Sequence, residues 1–583
     1  MKIGNFDYLE NKIVIRFNGR VCETEEELLS SELFEEVLRR CLKVLAKRNS
    51  FLVRVFGSAE ISEKELQTFV QTLKLLTKMQ RNLVLNVVPG SGNFLKDPYL
   101  LNEFIEYLYN YWRSFDRFII SDSAGSDPDK LPYRTFNSTI GHLTELIRGI
   151  YRDIQENITG QHPRIYRQVP AAAEVSTIAI SKNIPFPAEV YQKLNKISMI
   201  RQILLFPPLI LNPPINKRKG KFERIDKNPL DYVDIKSGDW LCYPAKVGPL
   251  LILVYFHNQF SELGHAMCNL FELADDSDLE RKPDAVYLFG VPGNCLDPFG
   301  SFPTVFYEDV ANDLFVGAVP NGNEFGYFGY LKKMVLTLHN IIMMKRGRLP
   351  FHGALVRLLL RGNRDKTILL IGDTGAGKSE TLETLREMGE EHIQDIIIIA
   401  DDMGSLEIDK NKNIIGYGTE TGAFLRLDDL QPGYALGQID RAIIMSANQV
   451  NARIILPVTT FENVIKGHKI DYILYANNYD EIDEEHPIIE RFDSVEKALL
   501  VFREGTVMSK GTTTSTGLVH SYFANIFGPP QYKELHEPLA QAYFKAFFDK
   551  GIYVGQIRTR LGLHGWERKG PEEAAKELLK ILA

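Results

Sequence analysis

Residues 372–379, Gly372-Asp373-Thr374-Gly375-Ala376-Gly377-Lys378-Ser379, fit the pattern G-x-x-x-x-G-K-[ST]. Glycines at that spacing let successive backbone N–H groups wrap a phosphate, and a following helix adds the positive end of its dipole. Lys378 would then reach the phosphoryl group being transferred, and Ser379 a magnesium ion. Downstream, "DIIIIADDMGSLEI" (395–408) is an apolar run closed by two carboxylates, Asp401 and Asp402. Two acids at the carboxyl end of a strand beside a phosphate loop suit metal binding or general-base work; the plain alternative is a solvated turn with two acids.

These residues need a strand, a tight loop and a helix in that order. "TILLI" (367–371) reads as a short buried strand, and "KSETLETLREMG" (378–389) as a helix closed by Gly389. The loop falls between them, which is the context the motif requires.

The rest of the chain sets the bounds. Its 583 residues exceed what one core organises, so two or three domains are expected. With 44% hydrophobic and 25% charged residues and a net charge of -7, it reads as a globular protein with no call for a nucleic-acid surface. The five cysteines (Cys22, Cys41, Cys242, Cys268, Cys295) are scattered, without a C-x-x-C pair, which fits reduced thiols in the cytoplasm. The start, MKIGNFDYLENK, lacks the apolar run of a signal peptide, and "ISMIRQILLFPPLILNPP" is broken by Arg201 and paired prolines, so no membrane span is expected.

The first third reads as alternating strands and helices: strands at "FLVRVFG" (51–57), "NLVLNVVPGSG" (82–92) and "RFIISDS", helices at 63–79 and along "PYLLNEFIEYLYNYW". It suggests an α/β domain without a catalytic constellation, its aromatic residues serving as core. The run "NPPINKRKGKFERIDKNP" (212–229), rich in Pro, Lys and Arg, reads as a solvated linker. Strands are expected at 248–256 and 284–290 beyond it. The division is an accessory α/β domain over 1–215, a basic linker over 216–229, and two further segments, 230–335 and 336–583.

The stretch "FHGALVRLLLRGNRDKTILLIGDTGAGKSETLETL...ADD" resembles the catalytic domain of HPr kinase/phosphorylase. It also resembles phosphoenolpyruvate carboxykinase, which shares that fold. That second likeness extends to "YFGYLKKMVLTLHNIIMMKRGRLPFHG" (327–353), to "GYGTETGAFLRL" (416–427) and to "NARIILPVTTFENV" (451–464), covering about 320 to 583 in all. The resemblance implies a two-lobed carboxykinase-like unit, its first lobe over 230–335 and its phosphate-loop lobe over 336–583. It implies a metal, usually manganese, on Lys333, His352 and Asp402, and places Tyr327 and Lys332 on the acceptor. Glu420 and Arg426 fall on the family's Glu and Lys, and Arg453 on its phosphate-binding Arg. Taken alone, His352 also reads as a satisfied core histidine and Lys332-Lys333 as a solvated helix face.

The chain departs from the carboxykinases in two places. The T-G-R-S-P-K-D-K motif that grips oxaloacetate has no counterpart upstream. "KGTTTSTG" stands where the family embraces adenine, offering small polar residues in place of a base-stacking surface. The expectation is therefore magnesium- or manganese-dependent transfer from pyrophosphate, or a nucleoside triphosphate, to a small hydroxyl acceptor. Free L-serine is the leading candidate, and Asp401 would take the proton, as HPr kinase/phosphorylase does with a carboxylate of its A-D-D segment. A phosphoenolpyruvate carboxykinase with an unfamiliar grip is the alternative, and a non-catalytic phosphate sensor the third reading. Neither nucleic acid nor membrane is an expected partner, and the sequence does not give the oligomeric state.

Overall fold

The structure is a computed structural model that describes residues 6–582 apart from 18–20, 58–60, 124–129, 163–168, 219–220, 301–302, 363, 389–391, 428–429, 431–435 and 511–515. It is mixed α/β, built on large sheets with both parallel and antiparallel pairing. The chain divides into two compact units, one formed by 1–181 with 200–206, the other by 182–199 with 207–583. No helix among the described residues is long and apolar enough to cross a membrane. All five cysteines are free.

In the first unit, Lys12–Phe17, Asp116–Ser123 and Val175–Ile180 pair in parallel, with Phe6–Tyr8 antiparallel at the edge. Helices form where caps and apolar spacing agree. Ser62 and Glu65 close a capping box on Glu63–Leu76, and Asp97 caps Pro98–Arg113 with proline at its first turn. Two expected strands are instead helical. Phe51–Phe56 is a 3-10 helix, capped by Ser50 and stopped by Gly57 at φ +78°, and Arg81–Val87 is an α-helix. Short apolar runs carry no periodicity that separates the two states; Phe51–Phe56 buries four apolar side chains, whereas Arg81–Val87 buries only Val84.

The core of this unit encloses a cavity of about 160 Å³, walled by side chains of the sheet and of the helices Glu32–Lys47, Pro98–Arg113 and Lys130–Thr159. At about 24 cal/mol per Å³, an empty void of that size costs roughly 4 kcal/mol.

The second unit begins with the apolar strands Trp240–Val247, Leu250–His257, Ala285–Val291 and Leu314–Pro320, all buried. Gly248, at φ +52°, turns the first into the second, which starts at Leu250, two residues later than expected. The basic run 212–229 is no free tether. Its residues Glu223–Ile225 pair in parallel with Val305–Asp309, and Pro213, Phe222 and Pro229 are buried.

A second sheet carries the motifs, and its organising strand is Leu349–Leu360. That strand pairs antiparallel with Arg364–Ile371, Ile393–Ala400 and Met403–Ile408, while Tyr472–Asn477 and Tyr553–Arg558 extend the sheet in parallel beyond Arg364–Ile371. Helix Phe328–Lys345 is buried over nearly its whole length. A smaller sheet sets Gly422–Arg426 against Arg453–Pro457.

Candidate active site

The glycine loop lies between strand Arg364–Ile371 and helix Lys378–Met388, as the motif requires; Gly389 lies outside the described residues. Gly375 and Gly377 have φ of +79° and +92°, a region that disfavours side chains. A Cβ on Gly377 would also stand 2.5 Å from Thr559 Oγ1. The loop is braced from behind. Thr559 donates to the Ala376 carbonyl at 2.7 Å and Asn478 to the Gly375 carbonyl at 2.9 Å. Lys378, buried, donates to the carbonyls of its own loop, Gly372 at 2.7 Å and Asp373 at 3.0 Å. Thr374 and Ser379 are exposed on the rim.

Strand register brings the next residues to the loop. His352 pairs with Met403, setting it beside Asp402, while the Gly353 N–H donates to the Asp402 carbonyl and the Gly372 N–H to the His352 carbonyl. His352 Nε2 lies 2.9 Å from Asp402 Oδ1. Lys332, buried on its helix, holds Asp402 Oδ2 at 2.7 Å and Glu420 Oε1 at 3.0 Å.

The charges perturb one another strongly. Burial and the neighbouring Asp402 push Asp401 up to about 6. Burial pushes Glu420 up to about 7, Asp402 adding to it and Lys332 opposing it. Asp402 resists its own burial because Lys332 and His352 hold it well below the ordinary carboxylate range. Burial, with Arg218 nearby, brings Lys333 down to about 8. Strongly displaced titrations gathered in one place are a mark of functional sites.

The tautomer of His352 is fixed from behind. Its Nδ1 meets the carbonyl of Ala524, which can only accept, so Nδ1 carries the proton. Its Nε2 faces the Asp402 carboxylate, to which a protonated ring donates a hydrogen bond. The carbonyl is delivered by three consecutive non-glycine residues in left-handed conformation, Phe523, Ala524 and Asn525, at φ +44°, +57° and +61°. Each costs on the order of 1 kcal/mol, and such strain collects at functional sites.

The donor set suits one divalent ion if an amine is counted. Among the described residues, no group of three His, Cys, Asp or Glu side chains stands at metal-binding spacing. His352 and Asp402 are two close donors, and the half-buried Lys333 the third; its Nζ stands 4.8 Å from the Phe527 ring. The lowered titration of Lys333 favours the free amine a metal needs.

Lys332 and Arg453 gather as a cationic cluster at the Phe424 ring. Lys332 Nζ is 5.8 Å and the Arg453 guanidinium 5.5 Å from that ring. Tyr327, buried, packs against the same ring at 6.2 Å and hydrogen-bonds Arg453. Arg453 is 8% exposed, yet its Nε has no hydrogen-bond partner among the described residues. Arg426 faces Arg453 across the strand pair.

Two residues here carry no motif. Phe424 sits inside a quoted segment but gives no sign of gathering these cations. Arg218, from the basic run, lies within electrostatic reach of Tyr327, Tyr330 and Lys333, its guanidinium 5.0 Å from the Phe222 ring. Its only signal in the sequence is an arginine in a segment otherwise read as solvated. Ser379 is exposed at the start of helix Lys378–Met388.

Compared with known proteins, the sequence matches no family model and no curated protein.

Proposed function

We propose that the second unit is a carboxykinase-like, two-lobed phosphotransferase of the cytoplasm, accompanied by an accessory α/β unit. Its reaction moves a phosphoryl group from pyrophosphate, or a nucleoside triphosphate, to the hydroxyl of a small acid, with L-serine the leading acceptor. The observation that carries this reading is a buried arginine, Arg453, with an unsatisfied Nε, which shares the Phe424 ring with Lys332, the partner of Asp402.

In this mechanism Lys378 leaves its loop carbonyls for the donor phosphate, and the loop N–H groups take the remaining oxygens. Arg453 and Arg426 neutralise charge on the group in flight. Asp401, within the field of Lys378, accepts the proton of the acceptor hydroxyl. The acceptor oxygen bonds to phosphorus, the bridging P–O bond breaks, and its electron pair leaves on the departing phosphate. A magnesium or manganese ion on Lys333, His352 and Asp402 would supply charge neutralisation and hold donor and acceptor together. Tyr327 and Arg218 lie where they can orient an acceptor carboxylate.

The cationic cluster at Phe424 also favours a second reading, a phosphoenolpyruvate carboxykinase in which Arg218, Tyr327 and Arg453 grip oxaloacetate. Phosphorus NMR separates the two by crossing pyrophosphate, ATP and GTP with L-serine and oxaloacetate, in magnesium and in manganese. A phosphomonoester growing from serine supports the kinase, and phosphoenolpyruvate from oxaloacetate supports the carboxykinase. Neither product with any donor would overturn both.

A further inference from the structure

The cavity in the first unit plays no part in phosphoryl transfer. Its wall includes Val37, Leu108, Ile119, Leu143, Ile150 and Ala172, residues from the sheet, three helices and a connecting segment. Natural cores leave few voids larger than a water molecule, so about 160 Å³ is far beyond ordinary packing slack.

Water is a poor occupant. The wall's Ser31 hydroxyl donates to the Leu28 carbonyl at 2.7 Å and accepts from the Phe34 N–H at 3.2 Å. Trp112 Nε1 donates to the Ala171 carbonyl at 2.5 Å, and the Tyr151 hydroxyl donates to the Glu106 carboxylate. With these polar atoms engaged elsewhere, the Tyr109 hydroxyl and the Cys22 thiol are the other polar side-chain groups of the wall, a weak offer for a water that needs two to four partners. The edge of the cavity is half-exposed at Val21, Leu28, Phe34 and Trp112, which offers an apolar way in from solvent.

Size and lining together specify the occupant. An apolar cavity of about 150 Å³ walled by Leu, Ile and Phe stays dry and takes up benzene. We infer that the first unit binds one compact, uncharged, apolar molecule here, an aromatic ring or branched hydrocarbon of about six to ten non-hydrogen atoms. This binding site stands independently of the phosphoryl-transfer reading. It gives the first unit a function of its own, as a receptor for a small apolar ligand.

The test is a benzene titration of the full chain, followed by calorimetry and thermal unfolding, beside two cavity-filling variants, Ala172→Leu and Leu143→Phe. Benzene is expected to bind saturably at one site and raise the unfolding temperature of the wild type. Either folded variant is expected to bind at least tenfold more weakly while unfolding no earlier than the wild type. Using two variants guards against one of them overpacking. If benzene leaves the wild type unchanged, or affects the filled variants equally, the cavity is packing slack and the inference fails. Equal binding of a charged compound of the same shape, such as benzoate, would likewise overturn the apolar assignment.

Discussion

Arg426 and Arg453 stand directly opposite each other in an antiparallel strand pair. Like charges in that relationship repel by about 0.2–1 kcal/mol. Replacing Arg453 with Ala is therefore expected to leave the unliganded protein at least as stable while removing most of the thermal stabilisation by pyrophosphate. The rate constant kcat/KM should fall about a hundredfold or more. A variant that keeps the full pyrophosphate-induced rise in unfolding temperature would remove Arg453 from the donor site.

Asp401 gives a sharper test of the chemistry. Asn at this position keeps the shape and loses the base, so hydroxyl phosphorylation should slow by about 10² to 10⁴ in kcat, with donor binding little changed. A carboxykinase that uses Asp401 only to support the metal should lose much less. Unchanged serine phosphorylation would show that the proton goes elsewhere.

Gly505 tests the proposed metal site from a distance. It has φ +55°, and a Cβ there would stand 1.8 Å from the Ser521 carbonyl oxygen and 2.5 Å from the Ala524 nitrogen. Gly505→Ala should displace the turn that holds the His352 ring, weakening manganese binding by about 10- to 100-fold. Electron paramagnetic resonance of free manganese reads this without turnover. Tight binding in a folded Gly505→Ala protein would mean that the turn does not orient His352.

Acid should weaken the second unit through its buried histidines. Burial brings His339 and His536 down to about 4, from an ordinary value of 6.5. Between those values the unfolded chain takes up protons that the folded chain refuses, so stability falls as pH drops from about 6.5 towards 4. Each histidine contributes up to roughly 3 kcal/mol to that loss. His536→Phe keeps an aromatic ring beside Phe523, and the Tyr522 hydroxyl retains Glu537 at 2.9 Å. Urea midpoints followed from pH 7 to 4.5 should decline less steeply in that variant; parallel slopes would exclude His536.

The site was legible in the sequence wherever its chemistry is local. A glycine loop between a strand and a helix, and two acids after an apolar run, announce themselves within about forty residues. Helices with explicit caps, such as Glu63–Leu76 and Pro98–Arg113, were equally plain. The segments 51–57 and 82–92 were not, because an apolar run of that length suits a strand or a buried helical turn, and only the neighbours choose. Arg218 and Phe424 could not be read for a related reason. Their roles come from Tyr327, Lys333, Lys332 and Arg453, which lie tens to more than a hundred residues away. No local pattern records such a meeting, and a basic, proline-rich stretch looks the same whether solvent or protein surrounds one of its arginines.

Lys378 has both loop carbonyls as partners. In the proposed phosphate site, these carbonyls would compete with the ligand for the lysine. An arriving anion exchanges hydrogen bonds with Lys378, and only the difference counts towards affinity. A singly charged intruder, giving one oxygen for two carbonyls, gains little. A polyphosphate tail, spanning the loop amides and the arginines together, recovers the loss several times over. If the loop binds phosphate as proposed, selection among anions would begin with a lysine that must be persuaded to let go, before any acceptor arrives.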